Sequence, residues 1–244
     1  RKLSPKTKAI IVVHMHGLPA NMPAIMKIAK EHNIAVIEDC AQCVMGKVNG
    51  QTVGTIGDLS SFSFETKKHL SVGEGGMVGT NNEKMAIKVR KNAGLGYKTL
   101  SASTGLRSIL PSEFQDPNYK RHDILGWNYR MPELIGAMGL AQLERIDEFI
   151  ARRKKIAGMY LDVTKNFSWI VPQKVESGYD HTYWTFALKY EGQNELGVPW
   201  KDFYNLHIKN GGDAFYGDLS LAYKEIMMQE GKYYGSRILR NPDI

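Results

Sequence analysis

Apolar residues along the first half of the chain follow two distinct rhythms. Residues 8–14, Lys8-Ala9-Ile10-Ile11-Val12-Val13-His14, form a short, unbroken, β-branched run. That pattern predicts a strand buried on both faces, as in a parallel sheet. Gly17 and Pro19 end it. Over residues 22–32 the apolar positions Ile25, Met26, Ile28 and Ala29 recur at helical spacing and predict an amphipathic helix. Residues 34–39 are a second buried strand ending in Glu38 and Asp39. Strand, helix and strand within about thirty residues make a βαβ unit, which requires parallel pairing. In such sheets ligands gather at the carboxyl ends of the strands, where His14 and Asp39 fall.

The stretch from Gly57 to Gly76 organises the rest. It begins as an alternating strand, passes through a polar turn with two lysines, and closes on glycines. Phe62 and Phe64 share one face because side chains alternate with a period of two, so Ser63 points the other way. A further strand is predicted at 75–80 and a helix at 83–93, with Met85, Ile87 and Val89 among its apolar positions. Residues 94–116 lack periodicity and read as a long loop. Residues 132–165 are mainly helical: Pro132 suits a first turn, and Leu140, Leu143, Ile146 and Ile150 form a stripe. The length of this segment predicts a break within 149–153. Beyond Trp169, residues 181–190 alternate as a strand and 199–209 read as a helix. Residues 231–244 carry little periodicity.

These elements predict two domains. Residues 1–160 read as part of a large α/β/α domain, and residues 161–244 as a smaller, incomplete α+β domain. A buried strand so close to Arg1, without an initiator methionine, leads us to expect preceding residues.

Length and composition narrow the class. A chain of 244 residues, 43% hydrophobic and 23% charged, has the make-up of a soluble globular protein. No apolar run approaches the ~20 residues of a membrane span. With no signal-peptide pattern at the start, the expectation is a cytoplasmic protein without a membrane partner. The net charge of +7 raises the question of nucleic acid. However, the basic residues are scattered, and the densest run, Arg152-Arg153-Lys154-Lys155, reads as a solvated helix face with no readout chemistry. No nucleic-acid partner is expected, and an anionic small substrate suits the charge equally well.

Several residues carry candidate chemistry. Cys40 and Cys43 form a C-x-x-C after a strand, which is either a redox pair or two small residues packed at a strand end. His14 and His16, with Glu38 or Asp39, would serve a metal-dependent hydrolase, although spacing specifies no third ligand. Asp39 is either a helix cap or the partner of a pyridinium nitrogen. Ser63 and Lys68, five residues apart beside a glycine-rich turn, are suited to holding a phosphate and forming a Schiff base. On chemistry alone Lys67 competes with Lys68.

Taken together, Glu38-Asp39-Cys40-Ala41-Gln42, Gly57-Asp58, Phe62-Ser63-Phe64, Lys68, Gly73-Glu74-Gly75-Gly76 and Gly126-Trp127-Asn128-Tyr129-Arg130-Met131 resemble the DegT/DnrJ/EryC1/StrS family of sugar aminotransferases. The resemblance covers about residues 5–190 and implies an aspartate aminotransferase-like α/β fold (pyridoxal phosphate fold type I). In that fold a mostly parallel sheet is flanked by helices and followed by a smaller α+β domain. The implied cofactor is pyridoxal 5'-phosphate, and no metal is implied. Lys68 would be the catalytic residue, bonding the cofactor and shuttling a proton. Asp39 would hold the pyridine nitrogen protonated, Gln42 would lie by the ring, and Ser63 would bind the phosphate. Asn128 would reach the phosphate of the partner's cofactor in a homodimer with shared sites. The spacing from Phe62-Ser63-Phe64 to the glycine run selects Lys68 over Lys67.

The implied reaction is ping-pong transfer of an amino group from glutamate to a nucleotide-linked keto-deoxysugar, whose diphosphate we expect near Lys120 and Arg121. Family dehydratases carry histidine in place of the lysine, so Lys68 implies transamination. This chain departs from the family pattern at His69, where asparagine is common, at Cys40 and Cys43, and at His16, where an aromatic is common. The resemblance implies that the family's phosphate-binding turn and ring-stacking aromatic would lie before Arg1. The resemblance therefore implies either further residues or a truncated, catalytically inactive relative acting as a binding module.

Overall fold

The computed structural model describes residues 2–103, 109–217 and 219–230. The first strand, β1 (Ala9–Val13), leads into helix α1 (Met22–Glu31) and returns as β2 (Ala35–Asp39). Asn21 caps α1 by accepting from the Ala24 N–H at 3.2 Å, and Pro23 occupies the first turn. The buried face of α1, Met22 and Ala29 with Ile25 and Met26 beside them, packs on Val12 and Val36. Met22 and Val36 are fully buried, each contributing about 1.5–3 kcal/mol.

Two short strands follow, β3 (Lys47–Val48) and β4 (Gln51–Thr52), joined by Asn49 (φ 50°) and Gly50 (φ 82°). Two consecutive left-handed residues are what a tight type I′ hairpin requires. Next come β5 (Leu59–Ser63) and β6 (Gly76–Gly79). The main sheet has the order β1-β2-β5-β6. Strands β1, β2 and β5 are parallel, with Ile11 opposite Ile37 and Asp39 opposite Ser61, and β6 is antiparallel. This is the mostly parallel α/β sheet expected from the sequence. Among the described residues only one of its faces is covered: Val12 is buried while Ile11 is 68% exposed. The expectation that β1 is buried on both faces therefore holds for the α1 side.

Helix α2 (Glu83–Ala93) is capped by Asn82. The region read as one long loop contains a short helix, α3 (Pro111–Gln115), and residues 104–108 of it lie outside the described set. The helical segment does break, but at Glu144 and Arg145 between α4 (Glu133–Leu143) and α5 (Ile146–Thr164). A break within 149–153 would separate Ile146 from Ile150, which are buried together against Val44 and Leu70. After β7 (Ile170–Pro172), β8 (Tyr179–Asp180) pairs with β3. Residues 181–190 are not one strand as expected, since only β9 (Leu188–Tyr190) is extended pairing. Tyr183 adopts φ 48°, which interrupts the alternation, and Thr182 and Thr185 donate instead to Gly17 O and His16 O. Helices α6 (Gly192–Leu196), α7 (Trp200–Lys209) and α8 (Ile226–Glu230) complete the described elements.

One compact unit comprises residues up to Phe167 together with Pro172–Lys189, and a second comprises Ser168–Val171 with the chain from Tyr190 onward. The second is held by aromatics. Trp169 stands edge-on to Tyr190 and Phe203 at 5.9 and 5.5 Å, within the range of favourable ring pairs. Among the described residues, no helix is long and apolar enough to cross a membrane.

Candidate active site

The carboxyl ends of β1, β2 and β5 lie side by side, as the register requires, and carry most of the residues singled out above. The His14 N–H donates to Asp39 O at 3.1 Å, joining the first two ends. Asp39 Oδ1 accepts from the Ala41 N–H at 3.0 Å, and its other oxygen has no protein partner among the described residues. Gln42 Oε1 accepts from the His16 N–H at 2.7 Å, and the amide nitrogen of Gln42 has no partner among the described residues. At the end of β5, Ser63 Oγ accepts from the Glu65 N–H at 3.3 Å, so its own hydrogen remains available.

The turn after β5 separates the two lysines. Lys67 is exposed, and its N–H donates to Glu65 Oε2 at 3.0 Å. Lys68 is half-buried and followed directly by buried His69 and Leu70. Its Nζ lies 4.5 Å from the centroid of the Trp184 ring. The turn is fastened at three points. Phe64 N–H donates to Gly75 O, Val72 N–H donates to Phe64 O, and Gln142 of α4 grips both the N–H and the carbonyl of Ser71. Asn128 sits in another loop, where its backbone bridges to Gly94 and its Oδ1 accepts from Arg130 Nε at 2.8 Å. Asp39, Gln42, Ser63 and Lys68 thus gather at one edge of the sheet, and Asn128 is held separately.

The family model described as the DegT/DnrJ/EryC1/StrS aminotransferase family matches residues 1–201. The chain belongs to this family. GDP-perosamine synthase of Escherichia coli O157:H7 is 39% identical over 189 residues, 77% of this chain and 46% of that protein. Among solved structures, an aminotransferase from Psychrobacter cryohalolentis has a TM-score of 0.73 and 29% identity, over 85% of this chain and 53% of its own. The E. coli GDP-4-keto-6-deoxy-D-mannose-3-dehydratase with bound hydrated PLP has a TM-score of 0.73 and 26% identity, over 86% of this chain and 53% of its own. The chain spans about half the length of these relatives.

In this family member the two alternative chemistries read from the sequence meet a closed environment. Cys40 and Cys43 are fully buried beside Val48 and Val53. Burial pushes both thiols up, Cys43 to about 12, which leaves too little thiolate for redox exchange. The donor atoms of His14, Glu38 and Cys40 lie within 4.8 Å of one another, without His16. The lone pairs of His14 and Glu38 are already engaged. His14 Nδ1 accepts from the Ala20 N–H, His14 Nε2 donates to Glu38, and Glu38 also accepts from the N–H groups of Gly54, Ile56 and Gly57. That arrangement is a core hydrogen-bond node, not an open ligand set.

Three further residues at this edge carry no role in the sequence reading. His69 is buried, with Nε2 donating to Thr182 O at 3.2 Å. Burial chiefly, with the charges of Arg153 and Lys68, pushes it down to about 4, so it is neutral. Trp184 donates from Nε1 to Lys67 O at 2.8 Å. Arg153, read as part of a solvated face, is half-buried, and its Nη1 donates to Tyr183 O and Trp184 O at 3.4 and 3.0 Å. Its neighbour Lys154 pairs with Asp180, so only Arg152 and Lys155 of that run are solvated. Arg121, expected to meet a diphosphate, is folded onto its own loop and donates to Phe114 O at 2.9 Å.

Proposed function

We propose that this chain forms the lysine-bearing wall of a pyridoxal phosphate-dependent sugar aminotransferase. The reaction moves an amino group from glutamate to a nucleotide-linked keto-deoxysugar by a ping-pong route. One observation carries the reading: a half-buried amine, Lys68, shares the carboxyl edge of the parallel strands with an unengaged carboxylate oxygen, amide nitrogen and hydroxyl hydrogen. Those four groups match the needs of the cofactor. Asp39 suits a protonated pyridine nitrogen, Gln42 the ring substituent, Ser63 the phosphate, and Lys68 the aldehyde. Among the described residues, the His14 and Glu38 atoms that a metal-dependent hydrolase would use are already engaged by hydrogen bonds.

When bound, pyridoxal phosphate supplies an electrophilic carbon for amines and an electron sink for the carbanion that follows. The chain's own residues do the rest. The unengaged oxygen of Asp39 would hold a proton on the ring nitrogen. Lys68 would serve as the general acid–base group that moves a proton at the substrate carbon. Holding these groups on adjacent strand ends avoids the entropy of assembling them. The nucleotide sugar is supported by the names of the relatives, GDP-perosamine synthase foremost.

A second copy of the chain is part of this reading. Helix α4 is apolar nearly all round and buries none of its residues, with Leu134 81% exposed. The preceding segment exposes Leu125, Trp127 and Tyr129 around Asn128. A helix that is hydrophobic on every face belongs inside an interface. In a homodimer through this surface, Asn128 would serve the partner's site.

Purified full-length protein tests the proposal. The bound cofactor should give a visible absorbance band that glutamate bleaches, that Lys68→Ala abolishes and that Lys67→Ala retains. Loss of the band with Lys67→Ala alone would refute the choice of lysine. Activity that depends on a stoichiometric metal and is lost to chelators would refute the reaction class.

A further inference from the structure

We infer that Trp184 is a positioning residue for Lys68, its indole face holding the ε-ammonium whenever that amine is not bonded to cofactor. The inference rests on the reading of Lys68 as the cofactor lysine and deepens it. An ammonium 4.5 Å from an indole centroid lies within the ~6 Å range of cation–π attraction, for which tryptophan is the best partner. Among the described residues no carboxylate pairs with Lys68, and the ring is the attractive partner of its charge.

The ring itself is fixed in place, which is what a positioning role demands. Its Nε1–H is bonded to Lys67 O, one residue from the amine it carries. Arg153 holds the carbonyls of Tyr183 and Trp184, and the Thr185 N–H donates to His16 O at 3.2 Å. The His16 ring lies parallel to the indole, at 7° and 6.5 Å between centroids. Because the His16 N–H is bonded to Gln42, the same lattice ties the lysine's resting place to the Gln42 side chain.

The role has two separable parts, the ring face and the indole N–H. Trp184→Phe keeps the first and removes the second, whereas Trp184→Leu removes both. The test is competitive reductive methylation of the full-length protein, freed of cofactor, with limiting formaldehyde and cyanoborohydride. Cleavage after Glu65 and Glu74 leaves Lys67 and Lys68 on one peptide, whose fragment masses give the Lys68:Lys67 labelling ratio. The ratio is expected to be low in the parent chain, to rise about three-fold or more in Trp184→Leu, and to stay near the parent value in Trp184→Phe. An unchanged ratio in Trp184→Leu overturns the inference. So does a Trp184→Phe chain that behaves like Trp184→Leu, because a structural tie through the N–H would then account for everything.

A second measurement does not require Trp184 to be replaced. Lys68→Met should shift tryptophan emission relative to the parent while Lys67→Met does not, and matching spectra for the two variants overturn the inference. Adding pyridoxal phosphate and then borohydride should leave a pyridoxyl mass on Lys68. A mass on Lys67 instead overturns the proposed function and the positioning role with it. That failure differs from the first because the methylation ratio would still respond to Trp184→Leu.

Discussion

His14 and Glu38 meet at 3.1 Å with neither side chain exposed to solvent. Glu38 also accepts three backbone N–H groups from the loop that leads into β5. Burial alone would raise its carboxyl. The bonds from His14, Gly54, Gly57 and Ile56 more than offset this and hold it below the ordinary value of 4.5. Glu38→Ala would leave four donors buried without an acceptor and should cost about 3–5 kcal/mol. Urea unfolding of the full-length protein reads this directly, and Glu38→Gln, which keeps an acceptor oxygen, should cost less. The sign with pH follows from the lowered value. The stabilisation is complete above about pH 4.5 and is lost as pH falls through the folded-state value.

His69 titrates in the opposite sense. Burial keeps it neutral in the folded chain, with its value down at about 4 against 6.5 when unfolded. Below pH 6.5 the unfolded chain takes up a proton that the folded chain refuses, so stability falls as pH drops from 6.5 through about 4. The loss approaches about 3 kcal/mol per such group. His181, buried and also near 4, adds to the same limb. Unfolding midpoints between pH 7 and 4 should decline less steeply in His69→Asn, the residue common in the family at this position.

Gly17 answers to the 181–185 segment. It adopts φ +98°, and a Cβ there would stand 2.6 Å from Trp184 N and 2.8 Å from Tyr183 N. No side chain can be added without moving backbone, so Gly17→Ala should cost about 1–3 kcal/mol or more. Because the displaced segment is the one that carries Trp184, the Lys68:Lys67 labelling ratio should rise along with the fall in thermal midpoint.

The exposed face of α4 predicts an oligomer that single charges can split. Leu134→Glu and Met138→Glu each add a charge at a position already exposed in one chain. Monomer stability should therefore change by less than about 0.5 kcal/mol. Sedimentation of the full-length protein should show a dimer that weakens at least ten-fold in either variant. A dimer unaffected by both would place the interface elsewhere.

What the sequence determined by itself is what depends on neighbours along the chain. The bounds of α2 match the residues predicted, and β1, α1 and β2 fall within one or two positions. Their periodicity is local, as is the turn that distinguishes half-buried Lys68 from exposed Lys67. The motif set was likewise legible, and with it the family. The Asn49-Gly50 hairpin carried a standard signal that went unread. Only the tertiary structure decided the bend of residues 181–187, the break at Glu144 and Arg145, and the burial of Arg153. Each depends on a partner far away in sequence: Thr182 bonds Gly17 across 165 residues, and Trp184 bonds Lys67 across 117. A hydrogen bond over such a span leaves no rhythm in the chain, because it fixes one residue and not a repeating face. Alternating residues therefore looked like a strand where the fold needed a bent segment to place an indole beneath a lysine.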